Sequence, residues 1–202
     1  MIFFLKGLSF GFLLAASVGP MWILCFRRTL AQGPLAGFVS GLGIAVADAI
    51  YGAIAAFGLT AVSGFLLQHQ FWIGLAGGAF LVTLGIGCLR AKPAMAHESR
   101  DAPLALPQAF VSTLGLTLAN PPTILAFIAI FAGLGIAGAD AWGAMQVVAG
   151  VLLGSASWWL VLALVAGRLR GRIGPRVFRA INLASGVAIL GFAAWQFATL
   201  LR

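Results

Sequence analysis

Four acidic residues occur in this 202-residue chain, and only one of them, Asp48, falls inside an apolar stretch. An aspartate near a bilayer centre costs about 2.5–3.5 kcal/mol to insert, so Asp48 should face a cavity or a polar partner. A carboxylate in such a place can hold a substrate ammonium, or take up and release a proton. Tyr51, the only tyrosine, follows three residues later and can line the same cavity, or equally face lipid or serve packing. Two proline breaks supply the remaining intramembrane polarity: "SVGPMW" at 17–22 and "ANPPT" at 119–123. Proline has no N–H and clashes with the carbonyl four residues back. Pro20 thus deprives the carbonyl of Ala16 of its helical donor, and Pro121 and Pro122 do the same to Thr117 and Leu118. Such groups are tolerated in a membrane only where protein or water covers them. Gly19, Pro20, Asn120, Pro121 and Pro122 are therefore candidate walls of a central cavity. Asn120, able to donate and accept, is expected opposite Asp48.

No other reactive constellation stands out. The chain has no serine–histidine pairing, no phosphate loop and no paired carboxylates, so no catalytic residue and no cofactor is expected. His69 has no His, Cys or acidic neighbour at ligand spacing and His97 reads as solvated in the polar linker, so no metal site is expected. Cys25 and Cys88 lie far apart in apolar segments and read as small hydrophobes.

The elements that must position these residues are membrane spans. The chain is 62% apolar and 8% charged, against roughly 25% charged in soluble domains. A bilayer core of about 30 Å needs about 20 apolar residues as a helix. Six such stretches run over 4–25, 35–60, 66–89, 108–134, 142–166 and 180–200. Lys6 follows the four apolar residues at 2–5 and five further spans come after it, so the first stretch is expected to remain as a helix rather than act as a cleaved signal.

Charge sets the orientation. Twelve basic residues outweigh the acids to give +8, and ten of the twelve fall in three connections: Arg27 and Arg28; Arg90, Lys92 and Arg100; and five arginines of "GRLRGRIGPRVFR" between 167 and 179. The alternate connections hold only His69 and Asp140. The positive-inside rule places the basic connections in the cytoplasm and both termini outside. The excess charge points to membrane and lipid rather than to nucleic acid. Trp22, Trp72, Trp142 and Trp195 sit near span ends, as interface anchors do. Trp158 and Trp159 fall mid-span; lipid contact is the favoured expectation, with packing of at least one against the bundle, or along a pathway, as the alternative.

The sequence also divides into matching halves, 1–91 and 108–202, joined by a polar proline-bearing linker at 92–107. "ASVGP" (16–20) aligns with "TLANP" (117–121), Gly41 and Gly58 with Gly150 and Gly167, and "GLAGG" (74–78) with "NLASG" (182–186). Three spans per half is odd, so the second half must be inverted relative to the first. Broken helices at matching places in inverted repeats mark the substrate site of many transporters. The fold expected is thus an all-α integral membrane protein: six transmembrane helices as two inverted three-helix repeats, helices 1 and 4 broken at Gly-Pro and Asn-Pro. Small residues support close helix approach. Gly7, Gly11, Ala15 and Gly19 stripe the first span, and Gly37, Gly41, Ala45, Gly52 and Ala55 share the face of Asp48. These two stripes are expected to meet and bring Asp48 to the first break. The same stripes could instead build a homodimer.

With these features the chain resembles the LysE/RhtB family of amino-acid exporters of bacterial inner membranes. The likeness rests on Gly19-Pro20, on "RRTLAQGPLAGFVSGLGIAVADAIYGAIAAFGL" (27–59), on "NPPT" (120–123) and on "INLASGVAILG" (181–191). It implies efflux of amino acids or close derivatives from the cytoplasm, driven by the proton motive force. Many members read Pro-Gly-Pro at the first break and Asn-Pro-Lys at the second, where this chain has Val18 and Pro122. Related branches move metal ions, and export of a metal or another small solute, or a non-transport assembly role, are the alternatives the sequence leaves open.

Overall fold

The computed structural model describes residues 1–17, 19–57, 68–90, 105–120, 123, 127, 140–170 and 174–200. Among them the regular structure is all helical: α1 (Ile2–Ala16), α2 (Pro20–Gln32), α3 (Pro34–Ala56), α4 (Gln70–Arg90), α5 (Leu106–Leu118), α6 (Ala141–Arg170) and α7 (Pro175–Leu200). Prolines set the starts. Pro20, Pro34, Pro107 and Pro175 each occupy the first or second helical position, where the missing N–H would have had no partner anyway. Asp140 caps α6 by accepting the N–H of Gly143 at 2.8 Å.

The first break is a sharp bend. α1 ends at Ala16, Ser17 and Gly19 are extended, and α2 leaves at 75° to α1. Extended backbone before Pro20 follows from the clash of the proline ring with a helical predecessor. The next turn is shorter still. Gly33 alone separates α2 from α3, at φ 101°. That left-handed conformation suits glycine, and Pro34 then restarts the chain as helix.

α3, α6 and the stretch Arg176–Leu200 are long and apolar enough to cross a membrane, and α1 with α2 adds a bent fourth. Gly74–Arg90 and Leu106–Leu118 are shorter apolar helices. The outer faces are apolar: Leu153, Leu160, Val161, Leu164 and Val165 of α6 all face outward, as lipid contact requires.

Small residues decide which helices touch. α1 lies against α6 with the two running in the same direction: Gly7 meets the backbone of Val147, Gly11 that of Val151, and Gly150 and Gly154 meet Phe4 and Leu8 in return. α3 and α5 also run in the same direction, with Gly43 against Phe110 and Thr113, and Tyr51 against Leu118. α3 opposes α6, since Gly41 meets Trp159 and Gly167 meets Pro34. α4 opposes α7 through Gly85 and Gly186.

Three expectations need correction. The stripes on the first and second spans do not meet each other: the α1 stripe packs on α6, while Gly37 meets Thr29 of α2 and Gly41 meets Trp159. A small-residue stripe signals close approach but not the partner. Arg27 and Arg28 lie in helix α2, not in a loop, because the helix resumes at Pro20 and continues to Gln32. Arg168 and Arg170 likewise belong to the last turn of α6. Finally, Trp159 is buried against the bundle rather than in lipid, and Trp22, carried inward by the bend, is half-buried and stacks on Phe26 at 5.1 Å. The linker 92–107 lies outside the described residues except for 105–107, as do Pro121 and Pro122.

Candidate transport site at the helix breaks

Gly19 and Pro20 end one break, and Asn120 stands at the other. The structure brings these residues, 100 positions apart in sequence, to a common cavity of about 210 Å³. Ser17 and Met21 line it from the first half, and Leu116 and Ala119 from the second. Phe192 and Trp195 of α7 close one side. The backbone explains why Asn120 is presented here. α5 stops at Leu118, the N–H of Asn120 turns back to the carbonyl of Thr117 at 3.1 Å, and its own carbonyl accepts from Thr123 at 3.1 Å. A wider apolar groove of about 600 Å³ continues from this cavity between α4 and α5, sharing Gly77, Leu116 and Ala119.

Asp48 and Tyr51 do not line that cavity. Asp48 is buried on the seam between α3 and α6, where its Oδ2 accepts a hydrogen bond from Ser155 Oγ at 2.8 Å. Tyr51 is buried too, its ring 6.0 Å from that of Phe127. Its hydroxyl donates to the carbonyl of Leu118 at 2.6 Å. A helix would have served that carbonyl with the N–H of residue 122, which is proline. The tyrosine on α3 supplies the donor that the break in the second half lacks. Tyr51 thus joins the helix carrying Asp48 to the break carrying Asn120.

Two arginines that the sequence offered only as markers of orientation make contacts inside the bundle. Arg28, 7% exposed, donates through Nη1 to Ser40 Oγ and the Ala109 carbonyl, both at 3.0 Å, and through Nη2 to Ser112 Oγ at 2.9 Å. It fastens α2 to α3 and α5. Arg27 donates through Nε to Asn182 Oδ1 at 2.7 Å and through Nη1 to Cys88 Sγ, joining α2 to α7 and α4. Ser155 and Asn182 were also missed. The signal that flagged Asp48, a polar side chain deep in an apolar span, applies to both.

An all-helical bundle with an apolar exterior and an internal cavity at helix breaks is the build of a polytopic membrane protein. The chain matches the LysE type translocator family over residues 12–199. It belongs to that family, and is a membrane transporter rather than an enzyme. Among its relatives is YahN of Escherichia coli (strain K12), described as an uncharacterized membrane protein, 30% identical over 67% of this chain. That alignment spans only 61% of YahN. YcgF of Bacillus subtilis (strain 168), whose name assigns it provisionally to amino acid efflux, is 26% identical over 94% of this chain and 92% of its own length. No solved structure matches the chain.

Proposed function

We propose that the chain exports amino acids or close derivatives across the bacterial inner membrane by alternating access, with protons moving inward as substrate leaves. The observation that carries this reading is the meeting of the two breaks at one small cavity, about 210 Å³ in volume. Ser17 and Asn120 line it, shielded from lipid, and offer oxygen acceptors to a substrate ammonium. The relative named for amino acid efflux supports the substrate class.

The architecture we infer is six spans in two inverted halves, 1–91 and 108–202, with both termini periplasmic. The packing supports it. Exchanging the halves turns the α1–α6 contact into the α5–α3 contact, both of them with helices running in the same direction, and turns the opposed pairs α3–α6 and α4–α7 into themselves. Asp48 is absent from the lining of the break cavity. We therefore assign it the coupling proton rather than the substrate ammonium. It sits between the central helices of the two halves, where a change from carboxylate to carboxylic acid alters their hold on each other through Ser155. Gly19, Pro20, Asn120 and the Pro121-Pro122 break form the substrate passage. Tyr51 holds the second break to α3.

The test is export from cells preloaded with dipeptides, with all twenty amino acids quantified outside. Wild type should raise a subset over empty vector, and Asp48→Asn should not, at equal amounts of folded protein in the membrane. Equal extracellular amino acids in wild type and empty vector would overturn the substrate class. Full export by Asp48→Asn would overturn the coupling role.

A further inference from the structure

Arg27 and Asn182 form a cluster that holds more donors than acceptors. Arg27 carries a full charge into the bundle, yet its partners are a neutral amide oxygen and a thiol sulfur, the latter a weak acceptor. No carboxylate among the described residues neutralises it: Asp48 is engaged by Ser155, and Asp140 caps the opposite end of α6. Asn182 is 2% exposed, and its Nδ2 is buried with no hydrogen-bond partner. A buried amide donor left unmade is costly, and a buried charge without a counter-charge more so.

The contrast with Arg28 is informative. That neighbour spends its guanidinium on three oxygen acceptors and works as a staple. Arg27 has no such set. In the alignment of the two halves, Arg27 and Arg28 fall against Ile128 and Ala129, so this feature belongs to one half only. It also lies toward the basic end of the molecule. α4 and α7 run in opposite directions, so Arg90 at the end of α4 and Arg176 and Arg179 at the start of α7 share one end, all exposed. Such a field gathers anions.

We propose that Arg27 and Asn182 form an oxyanion-binding subsite between α2, α4 and α7, taking a carboxylate or a phosphate as the missing acceptor. A carboxylate would come from the exported amino acid, bound on its way from the cytoplasm, and this source rests on the function proposed above. A phosphate would come from an anionic lipid headgroup. The Nδ2 of Asn182 and the remaining N–H groups of Arg27 would donate to the anion. Cys88 would give way, since its sulfur is the weakest acceptor present.

Cys25 and Cys88 are free and buried, so a thiol-reactive coumarin maleimide reports unfolding of the full chain in detergent. Melting is followed with each of the twenty amino acids, with acetate, with inorganic phosphate, and in mixed micelles containing phosphatidylglycerol or phosphatidylcholine. At about a hundredfold excess over the dissociation constant, the bound probe should raise the midpoint by about 5–10 °C. Asn182→Asp builds a carboxylate into the site, so it should raise the midpoint of the unliganded protein and abolish the probe's effect. If that variant does not fold, Arg27→Gln should abolish the effect alone. A response to amino acids and acetate names the solute as the source. A response to phosphatidylglycerol but not phosphatidylcholine names the lipid, and the subsite then stands even if amino-acid export fails. No response to any probe, or an unchanged response in the variants, overturns the subsite and leaves the export reading untouched.

Discussion

The Tyr51 hydroxyl lies 2.6 Å from the carbonyl oxygen of Leu118, the group that proline at 122 leaves without a helical donor. One side chain from the first half therefore completes the backbone of a broken helix in the second. Tyr51→Phe keeps the ring and its packing on Phe127 but leaves that carbonyl unsatisfied. An unmade buried hydrogen bond costs about 1–3 kcal/mol. The variant should fold with a lowered melting midpoint in detergent and a reduced export rate. An unchanged midpoint would show that another donor serves Leu118.

Arg28 should behave as a structural staple. Its guanidinium reaches Ser40, Ser112 and the Ala109 carbonyl at once, across three helices. Lysine offers a single point of charge in place of a planar fork. Arg28→Lys should therefore destabilise nearly as much as Arg28→Gln, by about 2–4 kcal/mol on the scale of lost hydrogen bonds to charged groups. Denaturant or thermal unfolding of the purified protein measures this. Full stability in Arg28→Lys would mean that charge alone, not the fork, holds the helices.

The α1–α6 crossing should tolerate no added methyl group. A Cβ on Gly11 or Gly150 would collide with backbone of the facing helix, which cannot rotate away. Gly11→Ala and Gly150→Ala should push the helices apart and lower the yield of folded protein sharply. Gly87 and Gly191 face open space, and their alanine variants should match wild type on size-exclusion chromatography. Equal behaviour of all four would remove the close crossing.

These cases show what the sequence could convey. Proline chemistry is local, so the interruption at Gly19-Pro20 was legible, and α5 does stop just short of Asn120. Partner choice is not local. Gly7 and Gly11 announce that something approaches closely, but nothing in the α1 stripe distinguishes α3 from α6. Arg27 and Arg28 were read as a loop because charge usually marks the end of a span. The 75° bend instead carries them along a second helix and into the bundle. Asp48 was flagged as buried, but its bond to Ser155 depends on the register of α3 against α6, which no spacing in one helix reveals.

Gly19 gives the most direct test of the passage. It is extended at φ −156°, a conformation open to any residue, and a Cβ there meets nothing within 4 Å. A phenylalanine at this position has room to enter the 210 Å³ cavity. A Cβ on Gly7 or Gly11 of α1 strikes backbone, but a side chain at Gly19 fills space that the transport reading reserves for substrate. Gly19→Phe should retain the melting midpoint of wild type, or raise it slightly through apolar contacts with Phe192 and Trp195, while losing export. Gly19→Ala, too small to fill the cavity, should export at close to the wild-type rate. If Gly19→Phe folds and still exports, the substrate does not pass between the two breaks, and the route must lie along another seam of the bundle.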